Sequence, residues 1–526
     1  MFKLVDEKVN QLLSHGDRGL LNKRLIGVEK ESLRVSPEGG MSSLAHPASL
    51  GAALTNPYIT TDYSEALLEF ITPPLQHVES VLEFLRDSQA YVYQKLQNDE
   101  ILWATSMPCV VAGDKSIPIA DYGHSNAGQM KSIYRLGLGH RYGRVMQVIA
   151  GVHFNYSLPE DFWPVYKDML QESEQSISDF QSDQYFVMLR NLQRYGWLIP
   201  YLFGASPAVC KSFLGGAETN LQDFDKSTYY EPYATSLRMG DIGYQNNKEN
   251  ESGVKACYRN LDSYVKTLQG AIETPYKDYE KIGVKVDGEY KQLNANLLQI
   301  ENEYYSTVRP KQILQGNEKP IIALKKRGVQ YVELRSLDVN AFDPLGINET
   351  QLRFIEVFML FCLLADSEQI CFSEREEIDQ NELDVAHKGR DPKLKLNGGA
   401  SRVLLKDWAN DLLSGMQSVS ELLDADKEGT PYQDALNKQV EKVLHADLTP
   451  SARMLNEMRE TKEGFYHFAK RMSQKHNQYF TKLKLSKEKE MFFDKAAAES
   501  ISRQKSIEAA DSQSLDDYLF DYFKQR

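Results

Sequence analysis

The chain lacks a long apolar run, has few cysteines and is short of positive charge. Its most continuous apolar segment is VFMLFCLLA, from Val357 to Ala365. That is far below the roughly 20 residues a membrane span needs, so it reads as a core helix. The opening MFKLVDEKVNQLL carries acidic residues and no apolar stretch of signal-peptide kind, which argues against secretion and for a cytoplasmic protein. Five cysteines (Cys109, Cys210, Cys257, Cys362 and Cys371) are odd in number, scattered, and contain no C-x-x-C pair. They supply neither a zinc framework nor a disulfide scaffold, and each reads as a small buried hydrophobe. A net charge of −13 excludes a general nucleic-acid binder, because phosphate neutralisation needs clustered Lys and Arg. It leaves room for an anionic substrate in a local basic or metal-filled pocket.

Several familiar motifs are also missing. There is no G-x-x-x-x-G-K-[ST] phosphate loop and no H-E-x-x-H. GLGHRYG (Gly137 to Gly143) is one residue too long for a dinucleotide fingerprint, and no strand precedes it. GASPA (Gly204 to Ala208) resembles a nucleophile elbow, but Pro207 lacks the N–H an oxyanion hole requires.

What is present is an ordinary globular composition, 42% hydrophobic and 10% aromatic over 526 residues. That length suits two or three domains. The patterning predicts a short first helix, then a strand over about Leu25 to Val35 closed by a turn at Gly39-Gly40. Further strands are predicted at ALLEFIT (66–72), QVIAGVHFNYSL (147–158), NLLQIENEYYS (296–306) and GVQYVELRSLDVN (328–340). VESVLEFLRDSQAYVYQKL repeats its apolar residues at helical spacing. Strands separated by long, unequal insertions favour an α+β fold with a mainly antiparallel sheet. Beyond about Asp366 charged helical segments dominate. We therefore expect a catalytic region at 1–365 and a helical region packed on it at 366–526.

Within GVEKESLRV, Glu29 and Glu31 project to one face, roughly 7 Å apart. One explanation is a solvated edge strand with Lys30 and Arg34 compensating nearby. Other strands repeat the device. Glu333 and Arg335 share a face in VELRS, as do His153 and Asn155 in GVHFNYS, while Glu69 stands among apolar neighbours in LLEFIT. Asp62 lies just upstream. Asp62, Glu65 and Glu69 also fit one face of a helix, although the Phe70-Ile71-Thr72-Pro73 ending favours a strand. If these faces converge, five carboxylates and one imidazole form a pocket that cannot stay empty and ionised, since two charges 4 Å apart repel by about 4 kcal/mol at an effective dielectric of 20. Such hard oxygen donors suit Mg²⁺ or Mn²⁺, which in turn suit phosphates. The competing explanation is a surface acidic patch.

The blocks GVEKESLRV, ITTDYSEALLEFITPP, SMPC, KSIYRLGL, RYGRVMQVIAGVHFNYSLP, IPYLFGASPAVC, PYATSLRMGDIGY, NLLQIENEYY and GVQYVELRSLDVNAFDPLGI resemble glutamate–cysteine ligases of the gamma-proteobacterial type. The resemblance runs in order from about Ile26 to Ala365. It implies a glutamine synthetase-like funnel of curled antiparallel sheet. It also implies ATP-dependent joining of the L-glutamate γ-carboxylate to the amine of L-cysteine, the first step of glutathione synthesis. It places metal ligands at Glu29, Glu31, Asp62, Glu69, His153 and Glu333, with Glu333 and Arg335 catalytic and Arg335 on the transferring phosphoryl group. Arg238 would hold glutamate, with Asn155 in the substrate set. Tyr134, Arg135, Leu138, Tyr244 and Tyr305 would line the cysteine pocket. Tyr63 stands where the family pattern has phenylalanine. The family further implies a monomer, feedback inhibition by glutathione, and no nucleic-acid or membrane partner.

Three alternatives remain at this stage. A related carboxylate–amine ligase would share the ATP chemistry with a different amine. A glycoside hydrolase would use two carboxylates without ATP or Mg²⁺. A non-catalytic scaffold would bind Mg²⁺ without turnover.

Overall fold

The computed structural model describes residues 2–14, 19–242, 255–399 and 401–525. Its first long strand, β1 (Leu25–Val35), is buried along most of its length because it pairs on both sides. The strands that follow are β2 (Ile59–Thr61), β3 (Leu67–Ile71), β4 (Ile101–Leu102) and β5 (Gly151–Ser157). A small three-stranded sheet is formed by β6 (Ala208–Cys210), β7 (Gln222–Asp223) and β8 (Thr228–Tyr230), and a hairpin by β9 (Lys285–Val286) and β10 (Glu289–Tyr290). Then come β11 (Val308–Lys311), β12 (Tyr331–Asp338) and a second hairpin, β13 (Lys395–Asn397) with β14 (Arg402–Leu404). The main sheet runs β11-β12-β5-β1-β3-β2, with β4 paired to the end of β1, and every pairing in it is antiparallel. It is an open sheet within a mixed helix-and-sheet fold.

Helices cover the sheet face opposite the carboxylates. Helix α1 (Lys3–Ser14) and α2 (Val78–Lys95) join the central helix Glu349–Leu364, which contains VFMLFCLLA and is buried on nearly every residue. Its start is fixed by a capping box between Asn348 and Gln351. The later helices return along the molecule. Helix Lys487–Ala510 crosses the turn at Gly51, where φ is +91° and an added Cβ would lie 2.8 Å from Ala497 Cα, so only glycine permits that approach. The last helix, Leu515–Lys524, reaches α3 (Asn126–Tyr142). Among the described residues no helix is long and apolar enough to cross a membrane.

Three expectations need correction. The edge-strand explanation fails, because β1 lies at the centre. Lys30 points to the opposite face from Glu29 and Glu31 and donates to Gln89 (2.7 Å), and Arg34 is fully buried against Glu100 (3.0 Å). NLLQIENEYYS is not a strand; it forms bends around a short turn at Glu301–Glu303. There the side chains of Gln299 and Glu303 accept from Leu293 N (3.0 Å) and Gln299 N (2.7 Å), satisfying backbone groups that a ladder would otherwise pair. Finally, Cys109 and Cys210 form a disulfide, Cys371 is exposed and Cys257 half-buried, so only Cys362 fits the buried-hydrophobe reading in full.

Candidate functional site

Register places the acidic groups. In β1, Glu29 stands opposite His153 of β5 and Glu31 opposite Glu69 of β3. In β12, Glu333 stands opposite Asn155 of β5 and Arg309 of β11. Five strands thus aim their alternate side chains at one point. A bulge in β12 between Leu334 and Leu337 adds a residue next to Arg335, whose guanidinium lies 3.0 Å from Glu333. Asp62 arrives from the turn after β2 rather than from a strand or helix, and Glu65 faces elsewhere, accepting from His46 N and Asp121 N. The helical reading of Asp62, Glu65 and Glu69 therefore fails.

Glu29, Glu31, Asp62, Glu69, His153, Arg309, Glu333 and Arg335 line a cavity of about 340 Å³. Two triads within it, Glu29–His153–Glu333 and Glu31–Glu69–His153, each bring their ligand atoms within 4.8 Å of one another. His153 is common to both, with Nδ1 3.2 Å from Glu29 and 3.7 Å from Glu333, and Nε2 3.8 Å from Glu31. Asp62 stands at the rim, 3.7 Å from Arg135. Lys311 lies 3.3 Å from Glu333.

The carboxyls are not electrostatically equivalent. Burial would raise Glu333, but Lys311, Arg335 and His153 hold it well below the usual carboxylate range. Burial likewise opposes ionisation of Glu29, which contact with His153 brings below its ordinary value. Burial raises Glu31 despite the bond it accepts from Gly151 N at 2.6 Å. Glu69 is pushed up furthest, by burial and then by Glu29, Asp62 and Glu31. Lys131, Arg135, Arg238, Arg309, Lys311 and Arg335 share the wall with these carboxyls, and the donors that face one another in the two triads are oxygens plus one imidazole. That set fits divalent Mg²⁺ or Mn²⁺ better than zinc, which favours more His or Cys.

The remaining predicted residues divide as follows. Arg238, Tyr134, Arg135, Leu138 and Tyr305 line the cavity, as does Tyr63. Arg238 reaches in where Gly151 leaves space, since a Cβ on Gly151 would sit 3.0 Å from its Cζ; it also donates to Arg335 O (2.8 Å). Asn155 is not among the residues lining the cavity; its amide donates to Glu29 at 2.9 Å. Tyr244 lies outside the described residues. Sequence reasoning missed Lys131, Asn302, Ile300, Arg309 and Lys311, all on the wall. Arg309 and Lys311 alternate along β11, a readable signal, but Pro310 between them hides a strand that tolerates proline because it is at the sheet edge.

Comparison with known proteins gives the family. A family model described as glutamate-cysteine ligase matches residues 9–385. The chain belongs to the glutamate–cysteine ligase family. It is 45% identical over 526 residues to the glutamate–cysteine ligase of Alcanivorax borkumensis, covering 99% of each chain. It is 48% identical over 489 residues to that of Pseudomonas putida, covering 93% of this chain and 92% of the relative. A crystal structure of the Francisella tularensis glutamate–cysteine ligase in complex with AMP superposes with a TM-score of 0.89 at 38% identity, over 95% of this chain and 97% of the other. Glutamate–cysteine ligases are ATP-dependent enzymes of glutathione synthesis, and this chain is an enzyme of that kind.

Proposed function

We propose that the cavity joins the γ-carboxylate of L-glutamate to the amine of L-cysteine at the expense of ATP, through γ-glutamyl phosphate. The observation that carries this reading is the pair of acidic triads sharing His153, rimmed by Arg335, Lys311 and Arg238. A carboxylate oxygen is a poor leaving group, so it must first be converted to an acyl phosphate, a mixed anhydride. The γ-carboxylate attacks the terminal phosphorus of ATP and ADP leaves. The amine then attacks the acyl carbon, and phosphate leaves with the original carboxylate oxygen. Phosphoryl transfer asks a protein chiefly for positioning and charge neutralisation.

In this reading Glu29, Glu31, Asp62, Glu69, His153 and Glu333 hold Mg²⁺, with Mn²⁺ a workable substitute. The bound cation supplies charge neutralisation on the ATP phosphates. Arg335, oriented by Glu333, offsets charge on the group in transfer. Arg238 holds glutamate, while Tyr134, Arg135, Leu138, Tyr244 and Tyr305 receive cysteine. Asn155 fixes Glu29 rather than touching substrate. The AMP complex of the Francisella enzyme supports nucleotide binding. We read the open sheet as the wall of a glutamine synthetase-like funnel, residues 1–365 as the catalytic region and 366–526 as its support. Monomeric, cytoplasmic action with feedback by glutathione belongs to the same proposal.

The test is ADP release with ATP, Mg²⁺, glutamate and cysteine, together with the mass of the product. Product at the mass of γ-glutamylcysteine is expected. ADP released equally fast without either amino acid removes the reading, and product only with another amine points to the related ligase.

A further inference from the structure

The outer side of the cavity wall rests on the end of the chain. Tyr134, on α3, and Ile300, on the segment after Gln299, both line the cavity. Behind them lies a small core separate from the main one, made by Met130, Leu293, Leu519 and Tyr522. Leu519 and Tyr522 come from helix Leu515–Lys524 and are 5% and 7% exposed. A ten-residue helix is too short to be stable alone, so docking and this helix form together. Polar contacts fix both ends. Asn126, at the start of α3, donates its backbone N–H to Asp511 (2.5 Å) and its amide to Gln513 O (3.0 Å). At the far end buried Lys319 donates to Phe523 O (3.0 Å) and Gln525 O (3.2 Å).

Tyr134 and Ile300 belong to segments far apart in sequence; the Gln299 amide joins them by donating to Tyr134 O (3.2 Å), and both side chains pack on the small core, Tyr134 on the main core as well. We propose that the C-terminal helix Leu515–Lys524 is a positioning element for the amine substrate, holding Tyr134 and Ile300 at the separation the amine pocket requires. The inference rests on the assignment of Tyr134 to the cysteine pocket made above. Loss of the helix leaves the metal-binding strands in place, because those are built from the main sheet. The defect therefore falls on one substrate. Small misplacements at a site have large kinetic consequences, and a change of about tenfold is the scale to look for.

Steady-state kinetics on full-length Leu519→Ala and Tyr522→Ala variants provide the test. KM for cysteine rises about tenfold, while KM for ATP and for glutamate and kcat at saturation stay within about twofold. Tyr522→Phe, which keeps the ring in the small core, restores the wild-type KM. Should the core variants fail to fold, Asp511→Ala removes only the contact with α3 and raises the same KM about twofold to threefold. A cysteine KM that is unchanged, or that moves in step with the other two, overturns the proposal. Tyr134→Ala separates the two layers of inference. If it raises the cysteine KM and the helix variants do not, the positioning role fails and the pocket assignment stands. If it leaves that KM unmoved, the pocket assignment fails and takes this proposal with it.

Discussion

Glu333 shows how a single carboxylate can be fully buried and still ionised. It has no solvent exposure, yet Lys311, Arg335 and His153 surround it. Glu333→Gln keeps the shape and removes the charge. We expect turnover to drop by at least about 10³-fold, the scale for losing a preorganised charged group, with the unfolding midpoint and far-ultraviolet circular dichroism retained. Near-wild-type ADP release from this variant would take Glu333 out of the chemistry. His387 offers a pH-dependent test away from the proposed metal site. Its ring bridges Glu231 and Asp241, each at 2.9 Å, at the two ends of the segment that carries Arg238. Burial lowers its pKa, but the bond to Glu231 and the charge of Asp241 outweigh burial and raise it. A histidine raised in the fold contributes stability that is complete below its ordinary pKa and fades as pH rises through the folded value. The stability difference between wild type and His387→Gln should be about 1–3 kcal/mol near pH 6 and shrink as pH rises above the ordinary histidine range, read by urea denaturation. A difference that grows with pH contradicts the charged bridge.

At the scale of elements, one buried ion pair ties the sheet to its helices. Arg24, at the entrance to β1, meets Glu356 of helix Glu349–Leu364 at 2.5 Å, and Tyr432 of helix Pro431–Leu444 donates to the same carboxylate at 2.8 Å. Glu356→Ala strands a buried guanidinium and should cost about 3–5 kcal/mol in denaturant unfolding. Replacing both charges, Arg24→Met with Glu356→Leu, should recover most of that loss. A single variant as stable as wild type would show that water reaches Arg24. The element scale is also where the sequence was most legible. Period-two alternation located β1, β3, β5 and β12 and put Glu29 with Glu31 and Glu333 with Arg335 on shared faces, because side chains in a strand can point only two ways. Alternation does not say which partner each face meets. Lys30 and Arg34 thus looked like neighbours of the glutamates although they face Gln89 and Glu100. The loop at 292–304 carries strand-forming residues but is held by Gln299 and Glu303 side chains, a choice made by contacts rather than propensity. The Cys109–Cys210 pair joins positions 101 residues apart, and no local pattern announces it. The contact of helix Leu515–Lys524 with Tyr134 was invisible for the same reason, since it is made by residues near 520 with residues near 130 and 300.

For the whole molecule, the sheet and its helices force together groups that repel one another. Glu69 is pushed well above its ordinary value by burial and by Glu29, Asp62 and Glu31, so it sits in a locally crowded corner of the carboxyl cluster. Sites of this kind give up stability for function. Two opposite effects follow from one substitution. In chelator, Glu69→Gln should raise the unfolding temperature, because it removes one member of the crowd and keeps its volume. In Mg²⁺ the order should reverse. Wild type gains stability by mass action, about 2.7 kcal/mol at one hundred times the dissociation constant, whereas the variant, short of one ligand in the Glu31–Glu69–His153 triad, gains less. Thermal melts of both proteins in chelator and across a Mg²⁺ titration measure all four states. If Mg²⁺ leaves the wild-type melting temperature unmoved, the strand faces hold no cation. If Glu69→Gln melts below wild type even in chelator, Glu69 holds the fold together instead of straining it. The predicted crossing of the two melting curves arises only if a bound cation takes Glu69 as one of its ligands.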